Sequence, residues 1–326
     1  ASRHLGLYAD PRGEASLPLA IARSLGYRRG LPCDGESLLI TQGAQQGLAV
    51  LARVRVAPGD TVAVEEPGYP PARAVFEARG ARVVPVPVDD QGLCVERLPE
   101  AASLVYVTPS HQFPLGMPMS LERRLALLAF ARRHGALVVE DDYDGEFRFE
   151  GRPLDALKSL DREGHVAYLG SFSKVLHADL RLGYLVMPPG LATALLQART
   201  FSDGYPPLVT QRALARLMID GDFARHLRRM QRLYTARRTR LGDALAAHPA
   251  LWTPLPQVAG IHVALRLRSP VADLPARLAD ADIRANPLAS FYAGEASLDG
   301  VLLGFGVIDG EAIDRGVAAL AEAITR

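Results

Sequence analysis

Cysteine, tryptophan and lysine are scarce in this chain of 326 residues. The two cysteines, Cys33 and Cys94, lie far apart and form no CxxC pair, which argues against a disulfide scaffold and favours a reducing compartment. No basic stretch with an apolar core opens the chain, and no apolar run is long enough to cross a bilayer. These absences predict a cytoplasmic protein with no membrane partner.

An excess of charge of one sign is also missing. The 37 basic and 36 acidic residues leave a formal net charge of +1. Nucleic-acid-binding surfaces usually carry a strong basic excess, so we expect any contact with DNA to lie outside these residues. The chain starts at Ala1 without a methionine, which we interpret as a trimmed N-terminus or a piece of a longer protein.

The length fits two domains, or one large domain with an added lobe. As far as Pro188, strand-like segments alternate with amphipathic helical ones, which predicts right-handed βαβ units and a mostly parallel sheet. Pro85 and Pro87 indicate that one strand, "ARVVPVPVD", lies at an edge of that sheet or departs from it. The predicted strands are "TVAVEE", "ARVVPVPVD", "SLVYVT", "ALVVEDDYD", "HVAYLGS" and "RLGYLVM". Ligands of such sheets gather beyond the carboxyl ends of the strands.

The stretch "SLERRLALLAFARRHG" predicts a helix with Ser120 as its N-cap and Gly135 as its end. Its apolar face is predicted from helical spacing. The residues of that face are Leu121, Leu125, Leu128 and Ala129.

The character of the chain changes after Pro188. Residues 191–247 are mostly helical in pattern and rich in arginine, typical of a solvated helix that crosses between lobes. The tail from 252 to 326 alternates strands and helices, as in a small α+β domain. We therefore predict an α/β fold with a large domain at 1–205, which includes an N-terminal dimer segment. Bridging helices and the small C-terminal domain follow at 206–326.

Lysine occurs only twice, as Lys158 and Lys174, against 35 arginines. Lys174 lies in "SFSKVLHADLRLGY", directly after the predicted strand "VAYLGS". A solvated surface lysine is the ordinary interpretation, but a lysine at a strand end can also lose its proton and attack a carbonyl. Lysines of that kind commonly hold pyridoxal phosphate, which then needs a phosphate cradle, an acid at its ring nitrogen and a stacking face.

Each of these three requirements has candidates. Ser171, Ser173 and Arg181 can bind a phosphate, and "TQGAQQGLAVLARV" adds a glycine turn that opens a helix. The acids of "VVEDDYD" end a predicted strand, where one can pair with a ring nitrogen. Metal binding is the alternative for that acid cluster, although no matching histidine or cysteine spacing supports it. Tyr69 in "EEPGYPP" and the residues of "TPSHQFPLG" offer stacking faces.

Five motifs in register resemble the fold-type I pyridoxal-phosphate aminotransferases. They are "ITQGAQQGL", "VEEPGYP", "TPSHQFPLG", "VEDDYDGEFRF" and "GSFSKVLHADLRLGYLV". More narrowly, the chain resembles the aminotransferase-like domain of the MocR subfamily of GntR-type transcription regulators, from "YADPRG" to its end. The forms "TPSHQFPLG" and "EDDYDGEFRF" are closer to those regulators than to free-standing transaminases.

The resemblance implies a role for each matching residue. Lys174 would hold pyridoxal phosphate as an internal aldimine, Asp141 would pair with the ring nitrogen, Tyr143 would bond the phenolic oxygen and Tyr69 would stack on the ring. The implied phosphate ligands are Ala44, Gln45, Ser171, Ser173 and Arg181. Either His111 or Gln112 would replace the usual asparagine.

Tyr8 matches a tyrosine that reaches the cofactor phosphate of the partner subunit, which implies a homodimer with a shared site. One feature departs from the transaminases: "GVLLGFGV" (300–307) lacks the arginine that grips a substrate carboxylate. Arg284 is the nearest upstream candidate, with a surface arginine as the alternative. An amino-acid substrate without such a clamp would be poorly oriented.

The departure favours a sensing domain over an enzyme. The expected function is the effector-sensing and dimerisation domain of a MocR-type regulator, with its winged-helix DNA-binding domain outside this sequence. An amine or amino acid that replaces Lys174, or the cofactor itself, would act as the effector. The rival is a free-standing aminotransferase that moves an amino group between an amino acid and a 2-oxo acid.

Overall fold

The β-branched segments of the first two-thirds of the chain form one eight-stranded sheet. The structure, a computed structural model, describes residues 9–151, 154–256 and 258–325. The strands are β1 (Leu38–Thr41), β2 (Thr61–Glu66), β3 (Arg82–Asp89), β4 (Gly92–Leu93), β5 (Ala102–Val107), β6 (Leu137–Asp142), β7 (Val166–Ser171) and β8 (Gly183–Val186). Tyr8, predicted to reach a partner's cofactor, lies outside the described residues.

The strand order is β1-β8-β7-β6-β5-β2-β3-β4. Strands β3, β2, β5, β6 and β7 run parallel, whereas β8 is antiparallel to both of its neighbours and β4 to β3. The mostly parallel sheet is therefore confirmed. Within the described residues, the two-residue β4 follows β3 at this end of the sheet, so the strand with Pro85 and Pro87 is next to the edge and not the edge strand itself.

Ten helices are formed within the described residues. They are α1 (Ser16–Arg29), α2 (Ala44–Arg55), α3 (Pro70–Glu77), α4 (Leu121–His134), α5 (Leu157–Leu160), α6 (Ala192–Ser202), α7 (Leu208–Ile219), α8 (Asp222–Ala246), α9 (Leu274–Asp280) and α10 (Gly310–Thr325). Four single turns of 3₁₀ helix, at Val95–Arg97, Ala178–Leu180, Pro189–Leu191 and Leu288–Phe291, connect them to the strands.

Both faces of the central strands are buried. Leu104 and Tyr106 of β5 belong to one hydrophobic cluster, and Val105 and Val107 belong to another on the opposite face. This alternation follows from the two-residue period of a strand, and it explains why the central strands read as continuous apolar runs. The sheet therefore has helices on both sides, and its carboxyl edge remains open to ligands.

The helix predicted from "SLERRLALLAFARRHG" is confirmed, but its predicted apolar face is wrong. Leu121 and Leu125 are 62% and 52% exposed, and α4 buries Arg124, Leu127, Phe130 and Ala131 instead. The guanidinium of Arg124 donates to the backbone carbonyls of Met119, Asp155 and Pro109, which satisfies it in the interior. Because buried carbonyls replace water as its partners, this arginine takes a core position that apolar spacing assigns to a leucine.

The tail forms a smaller antiparallel sheet beside the large one. Its strands are β9 (Trp252–Pro254), β10 (His262–Leu267), β11 (Asn286–Pro287) and β12 (Gly300–Gly304), in the order β11-β12-β10-β9. The arginine-rich helix α8 buries an apolar stripe that includes Phe223, Leu227 and Tyr234. Its exposed arginines form the solvated face expected of that segment.

Candidate functional site

A cavity of about 710 Å³ lies at the carboxyl edge of the large sheet, closed on one side by residues of β10 and β12. Nine of the residues predicted for the cofactor site line it together. They are Ala44, Gln45, Tyr69, Asp141, Tyr143, Ser171, Ser173, Lys174 and Arg181. The fold collects them from segments that are up to 137 residues apart, because parallel strands end at one edge.

Lys174 lies in the connection between β7 and β8, three residues after Ser171. Its side chain is exposed toward the cavity, and it is electrostatically coupled to Asp144 and His262. The other lysine has a different setting, since Lys158 Nζ donates to the carbonyl of Val166 at 2.5 Å. Lys174 is therefore the lysine that the cavity offers to a carbonyl compound.

Asp141 is the one acid of "VVEDDYD" that faces the cavity from β6. Its neighbours point to the other side of the sheet: Glu140 accepts from the amides of Leu157 and Lys158, and Asp142 pairs with Arg29 at 2.7 Å. The two-residue period of the strand separates the three carboxylates. They therefore form no common ligand cluster of the kind that a metal site would need.

One oxygen of Asp141 is satisfied and the other is not. Tyr106 donates to Oδ2 at 2.6 Å, whereas Oδ1 is buried without a partner in the described part of the chain. Burial raises the pKa of this carboxyl from 3.8 to about 7, although the Tyr106 hydrogen bond opposes the shift. An N–H⁺ group at Oδ1 would satisfy the bare oxygen and favour the ionised form, as a pyridinium nitrogen does.

The anion-binding end of the cavity is built from α2 and Arg181. Gly43 precedes the helix with φ 80° and ψ 171°, and no side chain caps the first amides of α2. The Arg181 guanidinium donates to the carbonyl of Gln42 at 3.3 Å, so it lies at the same helix end. Ser171 and Ser173 line the cavity, with the amide of Ser173 donating to the Ser171 hydroxyl at 3.1 Å. Free helix amides and a guanidinium together suit a phosphate.

Aromatic rings cover the remaining wall. Phe113 is the centre of this group and packs edge-on against Tyr69, Tyr143 and Phe291 at centroid distances of 5.5, 5.9 and 5.1 Å. Burial raises the pKa of the Tyr69 phenol, so this ring stays neutral. The group supplies the planar apolar face that a pyridine ring needs.

His111 and Gln112, predicted as alternative cofactor ligands, are buried and do not line the cavity, whereas Phe113 does. The Gln112 amide is fully engaged, since Nε2 donates to the carbonyls of Pro67 and Phe113 and Oε1 accepts from the Leu115 amide. His111 Nδ1 lies 2.9 Å from Asp144 Oδ2. Both residues support the wall from behind.

The Tyr143 hydroxyl donates to the carbonyl of His111 at 3.0 Å and lies 3.0 Å from its Nδ1. His111, Asp144 and His262 offer ligand atoms within 4.8 Å of one another, all buried. The direct 2.9 Å contact between His111 and Asp144 makes this group a hydrogen-bonded pair beside a second imidazole.

Three cavity residues were not anticipated from the sequence or were given a different setting. Tyr106 reads as a core residue of β5, and its hydroxyl on an otherwise apolar strand is the signal that could have identified it. His262 is a single histidine in the apolar run "GIHVALRL". Arg284, for which a surface position was the alternative, lines the cavity together with Asn286.

Within the described ranges, every helix falls short of the length and apolarity needed to cross a bilayer. Cys33 and Cys94 are both free thiols.

Comparison with known proteins matches residues 1–298 to the family described as aminotransferase class I and II. The chain is 38% identical over 315 residues to the probable rhizopine catabolism regulatory protein MocR of Rhizobium meliloti, covering 95% of this chain and 64% of that protein. It is 33% identical to the pyridoxine biosynthesis regulator PdxR of Corynebacterium glutamicum, covering 98% and 70%. The kynurenine aminotransferase structure of Pyrococcus horikoshii superposes with a TM-score of 0.90 at 30% identity, covering 98% and 82%. The chain thus spans about two thirds of the two regulators.

Proposed function

The chain belongs to the aminotransferase class I and II family, and on that premise we propose that it is the effector-sensing domain of a MocR-type transcription regulator. The family match confirms the fold class, and it supports pyridoxal phosphate as the cofactor. The observation that carries the proposal is a cofactor-type cavity whose β12 wall presents Leu302 and Gly304 in place of an arginine.

The residues of the cavity fit pyridoxal phosphate. When bound, this cofactor supplies an aldehyde that condenses with amines and a ring that withdraws electrons. Lys174 is the attachment point, and Asp141 Oδ1 keeps a proton on the ring nitrogen. The amides of Ala44 and Gln45, with Ser171, Ser173 and Arg181, bind the phosphate, and Tyr69 covers the ring. Tyr143 would bond the phenolic oxygen by turning its hydroxyl from the His111 carbonyl toward the cofactor, and His111 and Gln112 hold the aromatic wall in place.

Sensing follows from the position of the cavity between the two sheets. Its walls include Asp141 and Lys174 of the large sheet region and His262, Arg284 and Leu302 of the small one. A small amine or amino acid that contacts both sides stabilises one relative position of the two regions over the other. We place the division at 1–205 and 206–326, with the long helix α8 in the bridging part.

We also propose a cytoplasmic homodimer with a cofactor site shared through Tyr8. Exposed apolar side chains on α6 and α7, Phe201 at 85% and Val209 at 79%, support a contact with a second copy. The contacts with DNA are assigned to a winged-helix domain outside this sequence. Reading the gene upstream of Ala1 tests that assignment, since an initiation codon next to Ala1 would contradict it.

Replacement of Lys174 tests the cofactor site. We expect pyridoxal phosphate to give the wild-type protein an absorbance band near the visible edge and, after borohydride reduction, a covalent adduct on the peptide that contains Lys174. Lys174→Ala should lose both, because the only other lysine, Lys158, is engaged with Val166. Lys158→Arg is the matched control and should keep both. An unchanged adduct in Lys174→Ala would refute the assignment.

Transaminase activity is the second candidate, and the position of Arg284 in the cavity wall favours it. A guanidinium there can bind a substrate carboxylate even though β12 offers none. Steady-state turnover with a panel of amino donors separates the two functions. A rate no better than that of free pyridoxal phosphate would exclude the enzyme and leave the sensing domain.

A further inference from the structure

The cavity wall supplied by the small sheet contains a buried histidine with an unused nitrogen. His262 is the first residue of β10 and lines the cavity, with only 8% of its surface exposed. Its Nε2 has no hydrogen-bond partner among the residues that the structure describes. An orphaned polar atom of this kind destabilises a protein by about 1–3 kcal/mol, so it indicates a partner that arrives from the cavity.

The ring of His262 is held in one orientation. It packs against the rings of His111, Phe113 and Tyr143 at centroid distances of 4.6, 5.6 and 6.2 Å. His111 is in turn fixed by its 2.9 Å contact with Asp144. These contacts leave the imidazole little freedom to turn its bare nitrogen away from a ligand.

A glycine allows this arrangement to form. Gly260 has φ +77°, and a Cβ at this position would lie 2.1 Å from His111 Cε1 and 2.4 Å from Asp144 Oδ2. Because only glycine fits there without a clash, β10 can approach the His111–Asp144 pair closely. The close approach brings His262, two residues later, to the cavity wall.

The imidazole of His262 is neutral. Burial holds its pKa well below the usual 6.5, and the positive charge of Lys174 and the neighbouring His111 lower it further. The backbone carbonyl of Pro114 opposes this lowering of the pKa, and Nε2 remains without a partner among the described residues. A neutral imidazole that carries its proton on Nδ1 has a lone pair on Nε2 and acts there as an acceptor.

We propose that His262 contacts the ligand of this cavity, with Nε2 accepting a hydrogen bond from the ammonium group of an incoming primary amine. The contact places the amine nitrogen beside Lys174, to which both Asp144 and His262 are electrostatically coupled. This inference rests on the proposed sensing function and adds a residue that selects for the donor group.

The test compares two replacements in the pyridoxal-phosphate-loaded protein. Glycine and ethylamine are titrated separately while the absorbance band of the cofactor is followed. His262→Phe keeps a ring but removes the hydrogen-bond acceptor. It should lower the affinity for each of the two amines about tenfold, which corresponds to about 1.4 kcal/mol. His262→Gln restores an acceptor oxygen, so its affinity for the two amines should stay within about threefold of that of the wild type. Pyridoxal phosphate itself should bind equally well to all three proteins.

His134→Phe, on α4 and outside the cavity lining, is the control for replacing a histidine by phenylalanine, and it should leave amine binding unchanged. Unchanged amine affinity in His262→Phe, with a normal cofactor band, would overturn this inference alone. A wild-type protein without the band would overturn the proposed function, and this inference with it.

A measurement on the wild-type protein covers the case in which His262→Phe does not fold. With ¹⁵N-labelled histidine, the Nε2 signal that is missing in His262→Gln belongs to His262. We expect this signal to move upfield when glycine saturates the loaded protein, because a lone pair that accepts a hydrogen bond is more shielded. A signal that stays in place at saturation would overturn the proposal.

Discussion

Asp141→Asn should make the cofactor-free protein more stable at alkaline pH while it weakens the binding of pyridoxal phosphate. The two effects have one cause, the unsatisfied oxygen Oδ1 in the cavity wall. Without the cofactor, that oxygen must carry negative charge in a buried position, with Tyr106 as the one donor to the carboxylate among the described residues. An asparagine never ionises and avoids this cost.

The magnitude follows from the pKa of Asp141, which burial raises from 3.8 to about 7 in the folded chain. For an acid whose folded pKa is raised, the stability is fully present below the unfolded pKa and is lost as pH rises through the folded pKa. A shift of about three units corresponds to about 4 kcal/mol, of which about 2–3 kcal/mol is lost between about pH 5 and about pH 8. Relative to the wild type, the free energy of unfolding of Asp141→Asn should therefore rise by that amount between about pH 5 and about pH 8.

Urea denaturation of the cofactor-free proteins at the two pH values measures the gain. Glu65→Gln is the matched control, because burial also raises the pKa of the Glu65 carboxyl to about 7 and Glu65 does not line the cavity. Both variants should show the same sign of pH dependence. Only Asp141→Asn should lose affinity for pyridoxal phosphate, by about tenfold to a hundredfold, the usual loss for a hydrogen bond between charged groups.

Two results would refute this reasoning. If the stability difference between Asp141→Asn and the wild type does not change with pH, the carboxyl has an ordinary pKa in the folded protein. If Asp141→Asn binds pyridoxal phosphate as tightly as the wild type does, its bare oxygen is not the partner of the ring nitrogen.

Two further replacements test the surroundings of the same cavity. Tyr106→Phe removes the one hydrogen bond that the Asp141 carboxylate accepts within the described residues. It should therefore destabilise the cofactor-free protein by about 1–3 kcal/mol at alkaline pH and by less at acid pH, as measured by urea denaturation; a loss that is equal at both pH values would contradict this. Gly43→Ala places a side chain on a backbone with φ +80° and sets its Cβ 3.3 Å from the Arg181 guanidinium. This replacement should lower the free energy of unfolding by about 1–3 kcal/mol and reduce the affinity for pyridoxal phosphate in a fluorescence titration. Wild-type values in both assays would show that the helix end does not bind the phosphate.

Local rules of the backbone were sufficient for several elements. Ser120 caps α4, with its hydroxyl accepting from the Arg123 amide at 3.3 Å, and Gly135 ends the helix with φ 64°. The strands of "TVAVEE" and "ALVVEDDYD" also form where expected, because their β-branched runs and flanking turn residues act over a few positions. Such features need no knowledge of the rest of the fold.

The face of α4 shows where local reasoning failed. Spacing predicted a stripe through Leu121 and Leu125, yet the helix buries Arg124. Its guanidinium is satisfied by the carbonyl of Met119 just before the helix and by two carbonyls from other segments, those of Pro109 and Asp155. The same limit applies to Gln112, whose amide donates to the carbonyl of Pro67, 45 residues away. Partners that are distant in sequence decide whether a polar side chain is buried, and one-dimensional spacing does not contain them.

By itself, the sequence determined the class of this protein: an α/β chain with one lysine at a strand end, an acid strand end and a glycine turn before a helix, in the order of a known family. Only the tertiary structure decided which side chains meet. It turned Asp141 alone of three adjacent acids toward the cavity, brought Tyr106 to its oxygen and placed His262 from the small sheet beside Lys174. The physical reason is that motifs are set by contiguous backbone, whereas a site is set by the pairing of strands and the packing of two sheets far apart in the chain.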